Sequence, residues 1–247
     1  IVARLVGSEM CIRDRAWDVP FVGVNHMEAH LYAASLEDPT LEFPLLVLLV
    51  SGGHTMLVDM QDHGRYRLVG QTIDDAAGEA FDKVARFLDL GYPGGPAIDR
   101  AALDGDPEAI RFPRAMMDDG FDFSFSGLKT SVMSYVRKHP DVSSPDVAAS
   151  FQAAVVDVLV TKARRAAAVT GATGIVLGGG VAANSLLREE ILGACEQDGI
   201  QGFLPSRAMC TDNAAMIAAA GWYRLRSDGP TPLDVGATPN LRLPFLD

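Results

Sequence analysis

Leu45 to Val50 is an unbroken run of aliphatic residues, and it constrains the fold more than any other stretch. Bounded by Pro44 and by Ser51-Gly52-Gly53-His54, it reads as a buried strand. It falls far short of the roughly 20 apolar residues a membrane helix needs, and no other run comes closer. The glycine-rich tetrapeptide reads as a turn. Thr55 to Met60 then forms a second strand of a hairpin, and Tyr66 to Ile73 a third. Downstream, Ser144-Pro145 opens a helix that runs from about Val147 to Thr170 and stops at Gly171. Gly174 to Leu177 returns as a strand, and Gly178-Gly179-Gly180-Val181-Ala182-Ala183-Asn184 leads from it into another helix. Strands followed by long helices predict an α/β fold.

The 247 residues suit one large domain or two modest ones. Asp and Glu total 32 against 21 Lys and Arg, a formal charge of −11. Such a balance disfavours non-specific nucleic-acid binding, so any such contact needs a local basic patch or a basic partner. Cys11, Cys195 and Cys210 are widely spaced with no CxxC, which fits a reducing cytoplasm rather than a disulfide framework. Residues 1–15 have neither signal-peptide nor linker character. They resemble translated sequencing-adapter read-through and are set aside, with the natural protein expected to start before Ala16. Val19 to Val24 reads as a short strand. Asp74 and Asp75 are expected to cap a helix carrying Ala80, Phe81, Val84, Phe87 and Leu88. Residues 91–96 read as a compact loop, 113–130 as an aromatic loop, and Thr211-Asp212 as the start of a helix through about Arg226.

His26 and His30 stand four residues apart behind Asn25, a good helix cap. On a helix they share one face, and with Asp212 they would make a metal centre with open positions. The plain alternative is an incidental surface pair. Glu28 lies about 200° round the helix from His26. It therefore points away from any such metal and cannot be the base of an HExxH protease. Gly52 and Gly53 would let a phosphate approach backbone N–H groups, though a tight hairpin also wants glycine. Gly178 to Gly180 lie between a strand and a helix start, where a phosphate is favoured, or where strand and helix simply cross closely. Asn184 could bond a ribose or a phosphate. Asp82, and more weakly Gly95 and Asp99, could serve ligand hydroxyls or be solvated surface. Ser124 to Thr130 could face substrate, with Lys129 meeting a phosphate.

Seven segments carry a resemblance together: Asn25 to His30, Leu49 to Thr55, Asp74 to Lys83, Tyr92 to Pro96, Phe123 to Thr130, Gly179 to Asn184 and Cys210 to Asn213. In this order they resemble the bacterial TsaD family, the tRNA threonylcarbamoyladenosine synthases once called glycoproteases, over Ala16 to about Pro244. The resemblance implies an actin-like, sugar-kinase-like ATPase (ASKHA) fold of two subdomains. Residues 16–40 would be a remnant of the first subdomain with the metal helix, 41–228 the second with the nucleotide cradle, and 229–247 a tail. It implies transfer of threonylcarbamoyl from threonylcarbamoyl-AMP to N6 of adenosine 37 in tRNAs reading codons that begin with A. His26, His30 and Asp212 would hold one divalent metal per subunit, iron with zinc as the alternative. Leu49, Val50, Ser51, Gly52, Gly53, Asp82, Gly95, Asp99 and Asn184 would line the nucleotide-containing substrate. The expected partners are tRNA, a TsaB-like and a TsaE-like protein, and no membrane. The family's N-terminal subdomain carries another phosphate-facing loop that has no counterpart here. The polypeptide is therefore expected to be an inactive or unstable fragment with exposed apolar surface. The competing expectations are a small-molecule kinase or ATPase on the same fold, and a non-catalytic scaffold.

Overall fold

The computed structural model describes residues 19–38, 40–238, 241–243 and 245. The expectation for residues 1–15 lies outside them. A five-stranded sheet with the order β3-β2-β1-β4-β5 forms the centre. Its strands are β1 (Leu45–Val50), β2 (Thr55–Asp62), β3 (Arg65–Gln71), β4 (Gly174–Gly178) and β5 (Gln201–Phe203). The first three form antiparallel pairs, from Leu45 opposite Met60 to Val50 opposite Thr55 in β1–β2. Strands β4 and β5 add in parallel beyond β1. All six residues of β1 are buried because both of its faces are covered.

The pleat sorts the strand residues between two cores. Leu46, Leu48, Val50 and Leu57 face a large core beneath α2 (Ala77–Phe87), α3 (Gly94–Ala102), α4 (Ser126–Lys138), α5 (Ser144–Thr170) and α6 (Ser185–Asp198). Leu45, Val47, Leu49, Met56, Val58 and Met60 face a smaller core. It is covered by Ala29, Leu31 and Tyr32 of the α1 (His26–Leu31) region and by Met216 and Ala220 of α7 (Ala214–Asp228). Residues on both sides of position 40 thus share one core. The long helix α5 begins with Ser143 accepting from the Asp146 N–H and Pro145 in its first turn, and ends at Gly171 in the left-handed conformation.

Several expected local structures differ. Residues 19–24 are not a sheet strand. They are tied to the loop at Thr231, which donates its N–H to the Phe21 carbonyl and accepts from the Gly23 N–H. Asp74 and Asp75 do not cap α2, whose N-cap is Ala76. Asp74 instead accepts from the Ser124 hydroxyl and the Phe125 and Ser126 N–H groups. Asp75 pairs with Lys83 and Lys129 at 3.0 and 2.7 Å. Helix α3 emerges from the supposed 91–96 loop because the Asp82 carboxylate accepts the Gly94 N–H at 2.7 Å. The 113–130 segment turns helical at Ser126.

Candidate metal centre

Helix α1 is only six residues long, too short to persist alone. Its start is fixed by Asn25, whose side-chain oxygen accepts from the Met27 and Glu28 N–H groups. That turn carries His26 and His30 on one side, their rings edge to face with centroids 5.0 Å apart. Both Nε2 atoms lie 3.2 Å from the same Asp212 oxygen. The three donor atoms lie within 4.8 Å of one another. His30 is buried at 4% exposure, whereas His26 and Asp212 are open at 52% and 74%. Burial, then the neighbouring His26, pushes the His30 pKa down against the pull of Asp212. The neutral imidazole so favoured is the form a metal binds.

Asp212 is held by a braced loop rather than by a helix turn. Cys210 is fully buried. Arg188 donates to the Pro205 and Ala182 carbonyls at 2.8 and 3.2 Å. The Ser206 N–H donates to Glu37 at 2.5 Å, and Asn213 caps α7 through the Met216 N–H. Helix α7 therefore starts at Ala214, two residues after Asp212 and not at it.

The donor set suits a divalent ion of iron or zinc type: two imidazoles and one carboxylate, with solvent-facing space for further ligands. His30 Nδ1 is buried without a hydrogen-bond partner among the described residues. A ligating histidine usually donates that second N–H. His54, expected only as part of the glycine-rich β1–β2 turn, stands close enough to His26 and His30 to interact with both electrostatically. Its N–H donates to the Ser51 hydroxyl. Burial, then His26, pushes the His54 pKa down.

The turn itself is wedged into place. Leu49 and Val50 are fully buried at the end of β1. A Cβ on Gly78 would stand 2.5 Å from the Ser51 carbonyl oxygen, and one on Gly179 would stand 2.5 Å from that of Val50. Gly179 also has φ +83°. These two glycines are required by packing. Gly52 and Gly53 are different. Both are exposed, neither has a positive φ, and a Cβ on either would meet nothing within 4 Å. On its other side the Gly178–Gly180 turn reaches helix α1, since a Cβ on Gly178 would stand 3.3 Å from the His30 carbonyl oxygen. The imidazole pair, Asp212, Ser51 to Gly53 and Gly178 to Gly180 thus form one continuous region.

The remaining expected residues form a second chain of bonds. Asp82 holds Gly94. Asp99 accepts from the Ser185 N–H and hydroxyl and from the Asn184 amide. Asn184 is buried, caps α6 through the Leu187 N–H, and donates to Gln152 at 2.8 Å. Its polar atoms therefore brace α3, α5 and α6 against one another. Gly95 is open, with nothing within 4 Å of a built Cβ. Lys129 is held in its ion pair with Asp75 rather than presented as a free cation.

Residues 14–219 match the family model "TsaD: tRNA N6-adenosine threonylcarbamoyltransferase". The chain belongs to the TsaD family. It is 53% identical over 229 residues to the tRNA N6-adenosine threonylcarbamoyltransferase of Symbiobacterium thermophilum, covering 92% of this chain and 67% of that protein. It is 52% identical to the Thermotoga neapolitana enzyme of the same name, covering 90% and 68%. The chain thus spans about two thirds of the length of the curated relatives it matches. Among solved structures, HypF of T. kodakarensis superposes with a TM-score of 0.69 at 17% identity, over 87% of this chain and 38% of that one. Component A of the Acidaminococcus fermentans (R)-2-hydroxyglutaryl-CoA dehydratase gives 0.51 at 17% identity, over 81% and 67%. The α/β sheet of this TsaD-family chain is of the ASKHA type. Its glycoprotease-like HxExH motif turns Glu28 inward at 2% exposure, onto Arg224 of α7.

Proposed function

We propose that this chain moves the threonylcarbamoyl group of threonylcarbamoyl-AMP onto N6 of adenosine 37 in tRNAs reading codons that begin with A, at the His26–His30–Asp212 centre. The observation that carries the reading is the glycine turn 178–180, which packs against both the His30 carbonyl and the β1–β2 tip. The donor is an activated mixed anhydride. The adenine amine attacks its carbamoyl carbon, the bond to the phosphate oxygen breaks, AMP leaves, and the amine loses one proton. The chain has to position the amine and meet negative charge on the carbonyl and phosphate oxygens.

The open Gly52 and Gly53 and the open Gly180 leave room for phosphate oxygens beside backbone N–H groups. Asp82, Asp99 and Asn184 tie α2, α3 and α6 together beside this region, and Gly95 stands open next to Gly94. One divalent ion, iron or alternatively zinc, held by His26, His30 and Asp212 would supply Lewis-acid stabilisation of the developing charge. Glu28 is not available as the base of a peptide hydrolase, because its carboxylate is buried in its pair with Arg224.

A chain of net charge −11 takes basic surface for tRNA from a TsaB-like or TsaE-like partner or from a local patch. No helix among the described residues is long and apolar enough to cross a membrane. We place the protein in the cytoplasm, where its tRNA substrate resides.

The test is transfer of isotopically labelled threonylcarbamoyl to a tRNA transcript, with the partners present, comparing adenosine with guanosine at position 37. Label should enter the adenosine transcript alone and fall to background with Asp212→Ala. Undiminished transfer by Asp212→Ala would refute the reading.

A further inference from the structure

Glu28 is the titratable residue of the Asn25–His30 segment that the proposed transfer leaves unused. It sits on the side of α1 away from the two imidazoles. Its carboxylate is 2% exposed and accepts the Arg224 Nε–H on both oxygens, at 2.9 and 3.2 Å. Tyr66 of β3 donates its hydroxyl proton to the same carboxylate at 2.9 Å. The Tyr32 and Tyr66 hydroxyls meet at 2.7 Å, and the Gly64 N–H donates to both. Burial and the neighbouring hydroxyl push the Tyr66 pKa far up, so it stays a neutral donor. Arg224 is further fixed by Asp228 at 2.8 Å.

The partners are 196 residues apart in sequence, yet they join the two elements that carry the metal-binding groups. Helix α1 bears His26 and His30. Asp212 stands just ahead of α7, and Arg224 lies about three turns along that helix. Asn25 ties the start of this six-residue helix to the Leu241 and Arg242 carbonyls, and Ala29 and Leu31 add apolar contacts. The Arg224 and Tyr66 bonds to Glu28 add a directional hold at its middle, facing α7 and β3. Buried charged pairs add little net stability compared with apolar residues of the same volume, and in some proteins their role is to select one arrangement.

We propose that the Glu28–Arg224 pair, with Tyr66, is a positioning strut that sets His26 and His30 at the right distance from Asp212. Glu28 and Arg224 are positioning residues, not catalytic ones. The inference rests on the metal reading above.

The test titrates the metal-free chain with Co2+ and follows its visible absorption, which reports ligand number and geometry, alongside thermal unfolding without metal. The variants are Glu28→Gln, the apolar pair Glu28→Met with Arg224→Met, and Val155→Ala on α5 as a control for general loosening. The apolar pair should unfold as cooperatively as the parent chain. It and Glu28→Gln should bind Co2+ about 10- to 100-fold more weakly, with altered band intensities, as when the hydrogen bonds behind a metal ligand are lost. Val155→Ala should lower the unfolding temperature and leave affinity and spectrum unchanged. Parent-like Co2+ affinity and spectrum in both Glu28 variants, with Asp212→Ala still abolishing binding, would overturn the strut alone. A parent chain that binds no Co2+, or binds it equally well after Asp212→Ala, would overturn the metal reading and the strut together.

Discussion

On one face of the sheet, helices α2 to α6 bury Phe81, Phe123, Phe125, Phe151, Val155 and Leu159 in a continuous apolar core. On the other, α1 and α7 cover Val47, Leu49 and Val58 with a thinner layer that includes Glu28, Arg224, Tyr66 and Tyr32 in one hydrogen-bonded group. Dispersion and dehydration dominate the first face, where apolar fillings of similar volume are tolerated best. Directional bonds hold the second and permit few arrangements. The groups proposed to bind metal lie on the second. The thick face keeps the chain folded, and the thin one keeps the site in shape.

The sharpest test of that division is a large truncation in the thick core. Phe151 is fully buried and meets Phe81 edge to face at 5.2 Å. Phe151→Ala should cost about 3–5 kcal/mol, the usual penalty for a buried aromatic removed from a packed core. Urea unfolding measures this. The folded fraction should still bind Co2+ with parent affinity. If affinity fell in step with stability, the two faces would not be separable.

The converse change is Asp212→Ala. Its side chain is 74% exposed and packs against little, so the unfolding midpoint should hardly move. Metal affinity should drop by at least the roughly 100-fold that marks the upper range for losing a mere supporting hydrogen bond. Calorimetric titration with Zn2+ before and after the substitution reads the difference. An unfolding midpoint lowered as far as by Phe151→Ala would mean the site also carries the fold.

The same division governs what the sequence reveals. The aliphatic run Leu45–Val50 and the Ser-Pro and Gly171 ends of α5 are local signals. The strands and the long helix formed where those signals stand. The histidine pair was legible because its spacing matches a helical turn, and its approach to Asp212 because family motifs appear in order. Three features were not legible, each because the deciding partner is remote. Helix α3 starts in Gly-Pro-rich sequence because Asp82 supplies its cap. Asp74 leaves α2 for N–H groups 51 and 52 residues away. The Asn184 amide donates to Asp99 and Gln152, which stand 85 and 32 residues away in the chain.

A smaller effect separates buried polar groups within the thick face from those in the thin one. Lys162 on α5 is fully buried and donates to the carbonyls of Asp119, Gly120 and Asp122 at 2.8, 3.3 and 2.8 Å. Lys162→Met keeps the apolar stem and strands those carbonyls. The expected cost is roughly 1–3 kcal/mol, with faster hydrogen exchange confined to 118–123 and no change in metal affinity. Loss of metal binding here would show that polar bonds on either face tune the site.

The smallest effect is electrostatic and depends on pH. Burial pushes the Asp75 pKa up, but the bonds from Lys129 and Lys83 outweigh it and hold the carboxyl below its ordinary range. A carboxyl whose pKa is depressed by folding stabilises the native state above its unfolded value of about 3.9. That contribution is lost as pH falls through the lower, folded value. Asp75→Asn should therefore lower stability at pH 6 by under about 1 kcal/mol, because solvent screens a pair with partly exposed lysines. The deficit should shrink toward zero as acid protonates the parent carboxyl. Urea midpoints of the two proteins at pH 6 and pH 3 decide the matter: a deficit that stays constant across that range would mean Asp75 acts through hydrogen bonds its neutral form also makes. The junction between the α2 loop and α4 would then resist acid as the apolar core around Phe151 does.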